Sequence, residues 1–212
     1  MEPSFWHERW QENRISFHLP EPNDLLTGHF DALGLEHDSR VFVPLCGKSH
    51  DLGWLLDQSH RVVGIELSEI AVRDAFKSLG LDPDVQDIGD LTYFRDGPLE
   101  IFAGDIFKMT MDDLGEVDAI YDRAALVALP PEMRTDYARA MVTLTGAARQ
   151  LLVSFDYDQS TMDGPPFSVP RAEIESLYSG HYDINLLESI DISGKLAERC
   201  SGKEEAWLLT RS

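Results

Sequence analysis

RVFVPLCGKSHDLGWLLDQSHRVVGIELS, residues 40–68, reads as strand, glycine loop, helix, second strand, and an acid where that second strand ends. Residues 40–45 form a short apolar run with β-branched members, and Gly47 gives the backbone a turn. Leu52, Leu55 and Leu56 then mark one helical face, and residues 61–67 are the next strand, which delivers Glu66. In an open parallel sheet the carboxyl ends of the strands line the ligand crevice. An acid about 20 residues beyond the glycine turn is placed to accept both hydroxyls of a ribose. The plain alternative is an ordinary α/β turn with Glu66 on the surface.

The loop satisfies neither of two familiar phosphate motifs. Gly47-Lys48-Ser49 resembles the end of a P-loop, but the glycine required five residues earlier is Phe42. A dinucleotide fingerprint needs three close glycines so that backbone can touch a pyrophosphate, and here only Gly47 and the distant Gly53 are present. A ligand with a ribose and no phosphate fits better, and S-adenosyl-L-methionine is one. A nicotinamide-dependent (NAD(P)) oxidoreductase shares the sheet and the ribose acid, and a non-catalytic regulator that keeps the S-adenosylmethionine pocket is a third reading.

The chain has 212 residues, with 38 acids against 18 bases and a formal charge of -20. That length suits one domain with one core. Nucleic-acid binding draws on clustered Lys and Arg, so the charge argues against a phosphate backbone as substrate and for small-molecule partners. The acids are dispersed, as on a soluble acidic surface. Two cysteines, Cys46 and Cys200, are too few for a disulfide framework and lack metal-ligand spacing, which suits a reducing cytoplasm. No segment approaches the about 18 apolar residues of a membrane span, and the N-terminus has no apolar signal core. No heptad or long exposed apolar stripe demands a partner subunit, so a monomer is expected.

Beyond Glu66, Ser68 is positioned to cap a helix with Val72, Ala75, Phe76 and Leu79 at helical spacing. Residues 99–103 and 117–121 read as third and fourth strands, ending in Gly104-Asp105 and Asp122-Arg123. Pro131 opens a helix, and residues 150–155 form a fifth strand. Strands separated by helices call for parallel pairing with right-handed crossovers. Residues 184–192 and 206–210 are separated only by a loop and are expected to pair antiparallel at one edge.

Several segments agree, in order, with one family. WHERWQENRISFH at residues 6–18, VPLCGKSHDLGWL at 43–55, VVGIELSE at 62–69, DRAALVALP at 122–130 and GPPFSVP at 164–170 together resemble thiopurine S-methyltransferases of bacterial type. The resemblance spans nearly the whole chain. It implies a Rossmann-like class I methyltransferase, an α/β fold with a seven-stranded, mostly parallel sheet, helices on both faces and an antiparallel edge strand. Residues 1–212 would be a single methyltransferase domain, with residues 1–30 as an N-terminal helix and cover over the cofactor site. The implied donor is S-adenosyl-L-methionine, leaving S-adenosyl-L-homocysteine. The implied acceptor is a thiopurine or related aromatic thiol, or a selenol, selenium or tellurium compound.

The resemblance also assigns residues. Trp10 covers the cofactor, although one helical turn after Trp6 it also suits a core stripe, and Trp6 is read as core. Leu45 and Gly47 contribute backbone to the methionine tail, and Glu66 takes the ribose. Asp105 and Ile106 follow the third strand, where the adenine edge belongs; a cap at Asp105 is the alternative. Arg123 lies near both donor and acceptor, where its guanidinium orients the ring and favours the thiolate. Phe17 stacks on adenine or substrate, Pro166 with Pro165 forms a stiff acceptor wall, and Arg199 is a second substrate arginine or a solvated surface one. No defined chemistry falls to His18, and Cys46, with no base nearby, reads as packing. No obligatory general base and no metal are implied.

Overall fold

The computed structural model describes residues 3–15 and 19–212. Helices α1 (Pro3–Gln11) and α2 (Asp24–His29) lead into β1 (Arg40–Pro44), α3 (His50–Asp57), β2 (Arg61–Glu66) and α4 (Glu69–Ser78). A hairpin of β3 (Asp84–Ile88) and β4 (Leu91–Asp96) precedes β5 (Leu99–Ala103). Next come α5 (Met111–Leu114), β6 (Ala119–Arg123), α6 (Pro131–Thr145), β7 (Arg149–Tyr157) and α7 (Arg171–Tyr178). Strand β8 (Tyr182–Asp191), helix α8 (Gly194–Ala197) and β9 (Gly202–Arg211) close the chain.

Among the described residues nine strands form one sheet in the order β3-β4-β5-β2-β1-β6-β7-β9-β8. The five central strands are parallel, whereas β3, β4, β8 and β9 are antiparallel additions at the two edges. The seven strands read from the sequence are all present. The two extra are the β3–β4 hairpin, whose first strand, DVQDI, is almost wholly exposed and has no apolar run to announce it. The fourth strand begins two residues later than expected, at Ala119, so Asp122 and Arg123 belong to the strand itself.

Helices on both faces keep the central strands buried along nearly their whole length. Alternate residues feed two cores. Phe42, Val63, Ile65, Ile120 and Leu152 meet Tyr137 and Met141 of α6 and Ile174 and Tyr178 of α7. Val41, Val43, Val62, Tyr121 and Leu151 meet α2, α3 and α4 through Leu26, Leu52, Leu55, Val72 and Phe76. A small third cluster of Tyr157, Met162, Ile192 and Cys200 lies under the β8–β9 connection. Order reverses at β1, which has β2 on one side and β6 on the other. A ligand crevice is expected beyond the carboxyl ends of strands at such a switch point.

Candidate active site

The loop leaving β1 is tightly specified. Leu45 (φ 48°) and Gly47 (φ 53°) both take the left-handed conformation, uncommon for a leucine and ordinary for a glycine. The Cys46 amide donates to the Ile65 carbonyl (3.0 Å), tying the loop to β2. A Cβ on Gly64 would lie 2.8 Å from the Cys46 Sγ, so the absent side chain is what admits the thiol. Burial pushes the Cys46 thiol well above its ordinary pKa, in keeping with a packing role. Ser49 caps α3, accepting from the Asp51 amide (3.1 Å). Asp51, itself 2% exposed, accepts from the Asn23 amide (2.8 Å) and the Tyr121 hydroxyl (3.0 Å), fixing the helix start to α2 and β6.

Glu66 ends β2 beside this loop and is 7% exposed. Its Oε2 accepts from the Gly47 amide (3.0 Å) and its Oε1 from the Ser68 amide (2.9 Å). Desolvation raises its pKa to about 7, against the pull of the Ser68, Gly47 and Leu67 amides. Lys48, the cation of the loop, pairs with Asp74 instead (2.9 Å). A surface Glu66 is thereby excluded: the carboxylate is buried, held by backbone alone, and retains acceptor capacity on each oxygen. Ser68 precedes α4 as expected, but its side chain makes no capping bond.

Trp10 is 6% exposed, and its ring closes over the loop, with Cζ2 3.2 Å from where a Gly47 Cβ would stand. Lys48 Nζ lies 5.9 Å from the Trp10 ring centroid. Trp6, read as core, is only half-buried and packs edge-on to Phe5 at 5.2 Å. The two rings share one face of α1, but Trp6 lies a turn nearer the helix start, where it is less covered than Trp10. An open cavity of about 340 Å³ runs from here along the ends of β2 and β5, lined by His7 and Gln11 of α1, Ser68, Ile70, Thr92 and Gly104 among others. Ile70 is 44% exposed, which gives that wall an apolar surface. Gly104 (φ 146°) lets the chain leave β5 where a Cβ would stand 2.5 Å from Leu91 Cδ2.

Asp105 caps the short 3-10 turn Ile106–Lys108, its Oδ1 accepting from the Phe107 amide (3.0 Å), and Ile106 is buried in the core. At the end of β6, Asp122 points toward α6, accepting from Tyr137 (2.7 Å) and the Leu126 amide (3.1 Å), and burial raises its pKa to about 6. Arg123, next along the strand, is directed to the opposite face with Tyr121; its charge acts on Tyr121 and on Glu204 of β9. Glu204 accepts from Asn23 Nδ2 (3.2 Å), and burial raises its pKa.

Pro166 sits in the loop between β7 and α7, and its carbonyl accepts from the Tyr157 hydroxyl (2.6 Å). The loop is held on its other side by Arg134, 2% exposed, which donates to the carbonyls of Leu129 (2.9 Å) and Ser168 (3.2 Å) and to Glu173 (2.7 Å). Arg199 follows α8 and is exposed, its charge reaching Arg9 and Tyr157. Phe17 and His18 lie outside the described residues.

The structure therefore brings Trp10, Gly47 and Glu66 together at the switch point. Asp105 and Ile106 follow the neighbouring strand end, Arg123 stands across β1, and Pro166 and Arg199 are grouped with Tyr157. Sequence reasoning missed His7, Gln11, Asp51 and Glu204. The first two reach the cavity through the docking of α1, which no local spacing encodes; Ser49 two residues before Asp51 was the available sign of a capped helix start. Among the described residues no group of three or more His, Cys, Asp or Glu is disposed to hold a metal, and no helix is long and apolar enough to cross a membrane.

Comparison with known proteins places these features in context. The family model described as thiopurine S-methyltransferase matches residues 1–212. A thiopurine S-methyltransferase of Xanthobacter autotrophicus is 49% identical over 213 residues, with 100% of both chains covered. Another from Gluconobacter oxydans is 49% identical over 203 residues, covering 96% of this chain and 92% of that one. Among solved structures, the 1,6-didemethyltoxoflavin-N1-methyltransferase of Burkholderia thailandensis superposes with a TM-score of 0.66 at 16% identity, covering 98% of this chain and 87% of that one. A SAM-dependent methyltransferase from Methanosarcina mazei gives 0.64 at 13% identity, covering 91% and 100%. At those identities the structural likeness speaks for the fold.

Proposed function

The chain belongs to the thiopurine S-methyltransferase family, and from that premise we propose that it transfers the methyl group of S-adenosyl-L-methionine to the sulfur of a small aromatic or heterocyclic thiol. The single observation that carries the reading is Glu66, a buried carboxylate at the end of β2 whose two oxygens are already oriented by the Gly47 and Ser68 amides. Two vicinal hydroxyls are donors that match two such oxygens, and charge assistance strengthens both bonds. No cluster of glycines is available there for a pyrophosphate, so the oxidoreductase reading has no support from the loop.

The family resemblance supplies the remaining roles. Leu45 and Gly47 bring backbone to the amino-acid tail of the donor, with Trp10 of α1 as a cover. The backbone of Asp105 and Ile106 reads the adenine edge, against the apolar wall at Ile70. Arg123, Pro166 and Arg199 are assigned to the acceptor, and Phe17 joins them by the family resemblance alone. When bound, the donor supplies an electrophilic methyl on a sulfonium, which the acceptor sulfur takes by in-line displacement, the electron pair of the broken C–S bond returning to the departing thioether. Charge disperses in that step, so the protein has no oxyanion to stabilise. Its task is to align the two sulfurs, an effect worth up to about 7 to 11 kcal/mol in favourable intramolecular cases. Arg123 favours the ionised form of the acceptor and hydrogen-bonds its ring. A thiol on an electron-poor ring ionises readily, so no residue is assigned as general base.

A labelled-methyl assay with a panel of thiopurines, arene thiols, selenols and tellurium compounds tests the proposal. Label in the thioether fraction of the thiols is expected. Donor binding with no methylated product from any acceptor would instead make the protein a cofactor-binding regulator.

A further inference from the structure

Carboxylates taken out of water need partners, and one face of the sheet holds two of them on a single chain of hydrogen bonds. Asp51, at the start of α3, is 2% exposed, and Glu204 of β9 is half-buried. Tyr121 of β6 donates to Asp51 Oδ2 (3.0 Å), the Asn23 amide donates to Asp51 Oδ1 (2.8 Å), and Asn23 Nδ2 donates to Glu204 Oε1 (3.2 Å). Asn23 Oδ1 meanwhile accepts from the Leu25 amide (2.9 Å), so one residue both caps α2 and anchors Glu204. Among the described residues neither carboxylate forms an ion pair, and neither does Arg123.

Arg123 enters this arrangement by register. Two residues beyond Tyr121, it shares that face of β6. It pairs with Val153 of β7, and Val153 pairs with Ala206 of β9. Glu204, two residues from Ala206, is therefore on the same face, two strands and about 10 Å across the sheet. Its own partner is Phe155, which places it farther toward the carboxyl end of β7 than Val153. From Arg123 the carboxylate thus stands both up toward the crevice and sideways toward β7, the strand that runs into the Pro166 loop. A guanidinium on a long flexible stem with no ion pair is free to lean either way, and a fixed negative charge on one side decides the matter. We propose that Glu204, anchored by Asn23, is the positioning residue that leans Arg123 toward the acceptor side of the crevice and away from the donor. It does so as a held charge two strands away, not as a clamp. The inference rests on the methyl-transfer reading for the task of Arg123.

The test is a double-mutant cycle with Glu204→Gln and Arg123→Ala, using 4-nitrobenzenethiol as acceptor. Glutamine keeps an oxygen for Asn23 and removes a desolvated charge, so folding is expected to survive. Should it not, Asn23→Ser, which still caps α2 but frees the Glu204 carboxylate, reads the same effect. In the wild-type background Glu204→Gln should lower kcat/KM for the thiol about tenfold, within the coupling found between interacting residues, and leave the donor Kd unchanged. In the Arg123→Ala background it should cost nothing further. The same loss in both backgrounds, a donor Kd that weakens in step, or no loss at all would overturn the proposal. Binding of the coloured 4-nitrobenzenethiolate to protein saturated with S-adenosyl-L-homocysteine repeats the cycle without turnover. Coupling in binding with no methylated product would uphold the positioning of Arg123 while sinking the methyl-transfer reading, whereas no coupling in either assay removes Glu204 from the acceptor side.

Discussion

Glu66 carries its negative charge into a site where burial opposes ionisation and three backbone amides favour it, and the balance leaves its pKa at about 7. Ribose hydroxyls donate to the ionised form, so donor affinity should rise with pH up to about 7 and then level off, by about tenfold per unit on the rising limb. Calorimetry from pH 5.5 to 8.5 (roughly the range spanning that ionisation) reads the effect, and the Glu66→Gln variant supplies the control, since its affinity should be weaker and lack this component of the slope. An affinity that Glu66→Ala leaves unchanged would detach the residue from the donor. Gly47 offers a second residue-scale prediction. An alanine there meets both a left-handed backbone and the Trp10 ring at 3.2 Å, so Gly47→Ala should cost about 1 kcal/mol in denaturant unfolding and displace the cover, raising the donor Kd several-fold. Both residues were legible in the sequence because turn glycine and strand-end acid are fixed by the chemistry of one βαβ unit. The burial of Glu66 was not, since it depends on the loop folding back to donate the Gly47 amide.

At the scale of elements, the strands that read most clearly were those covered on both faces. Residues 99–103 were read correctly as β5 because every position but Glu100 is buried, and α6 was announced by Pro131. Strand β3 escaped because its residues face water and only the partner strand makes them extended. The loop proposed as the acceptor wall was legible as a motif and opaque as a structure: GPPFSVP marks a stiff loop, but nothing local says that Arg134, 31 positions before Pro165, holds it. Arg134 sits almost fully buried between α6, α7 and that loop. Arg134→Met should therefore destabilise the protein by about 3 kcal/mol, mainly by leaving Glu173 and two carbonyls unpaired. In a variant that still folds, KM for the acceptor should rise while the donor Kd stays near wild type. Equal effects on both ligands would show that the loop serves the whole crevice and not one side of it.

For the molecule as a whole, charge and burial act in the same direction. Glu66 and Asp122 have folded-state pKa values raised to about 7 and about 6, so the stabilisation linked to their protons is complete below about pH 4 and is lost as pH rises through 6 to 7. Each contributes on the order of 3 kcal/mol to that slope. Self-repulsion from a formal charge of -20 adds to it. Without donor, thermal midpoints should fall between about pH 5.5 and 8, fall less in Glu66→Gln, and recover with added salt. A flat profile would mean that both carboxyls are relieved of their desolvation by some route other than protonation. The two thiols extend this to motion. Cys46 is locked at the centre of the sheet against the bare Cα of Gly64, whereas Cys200 lies under an edge connection. A thiol reagent must wait for each region to breathe, so the two labelling rates are clocks for separate openings, one central and slow, one peripheral and fast. Saturating donor should slow the Cys46 clock and leave the Cys200 clock running.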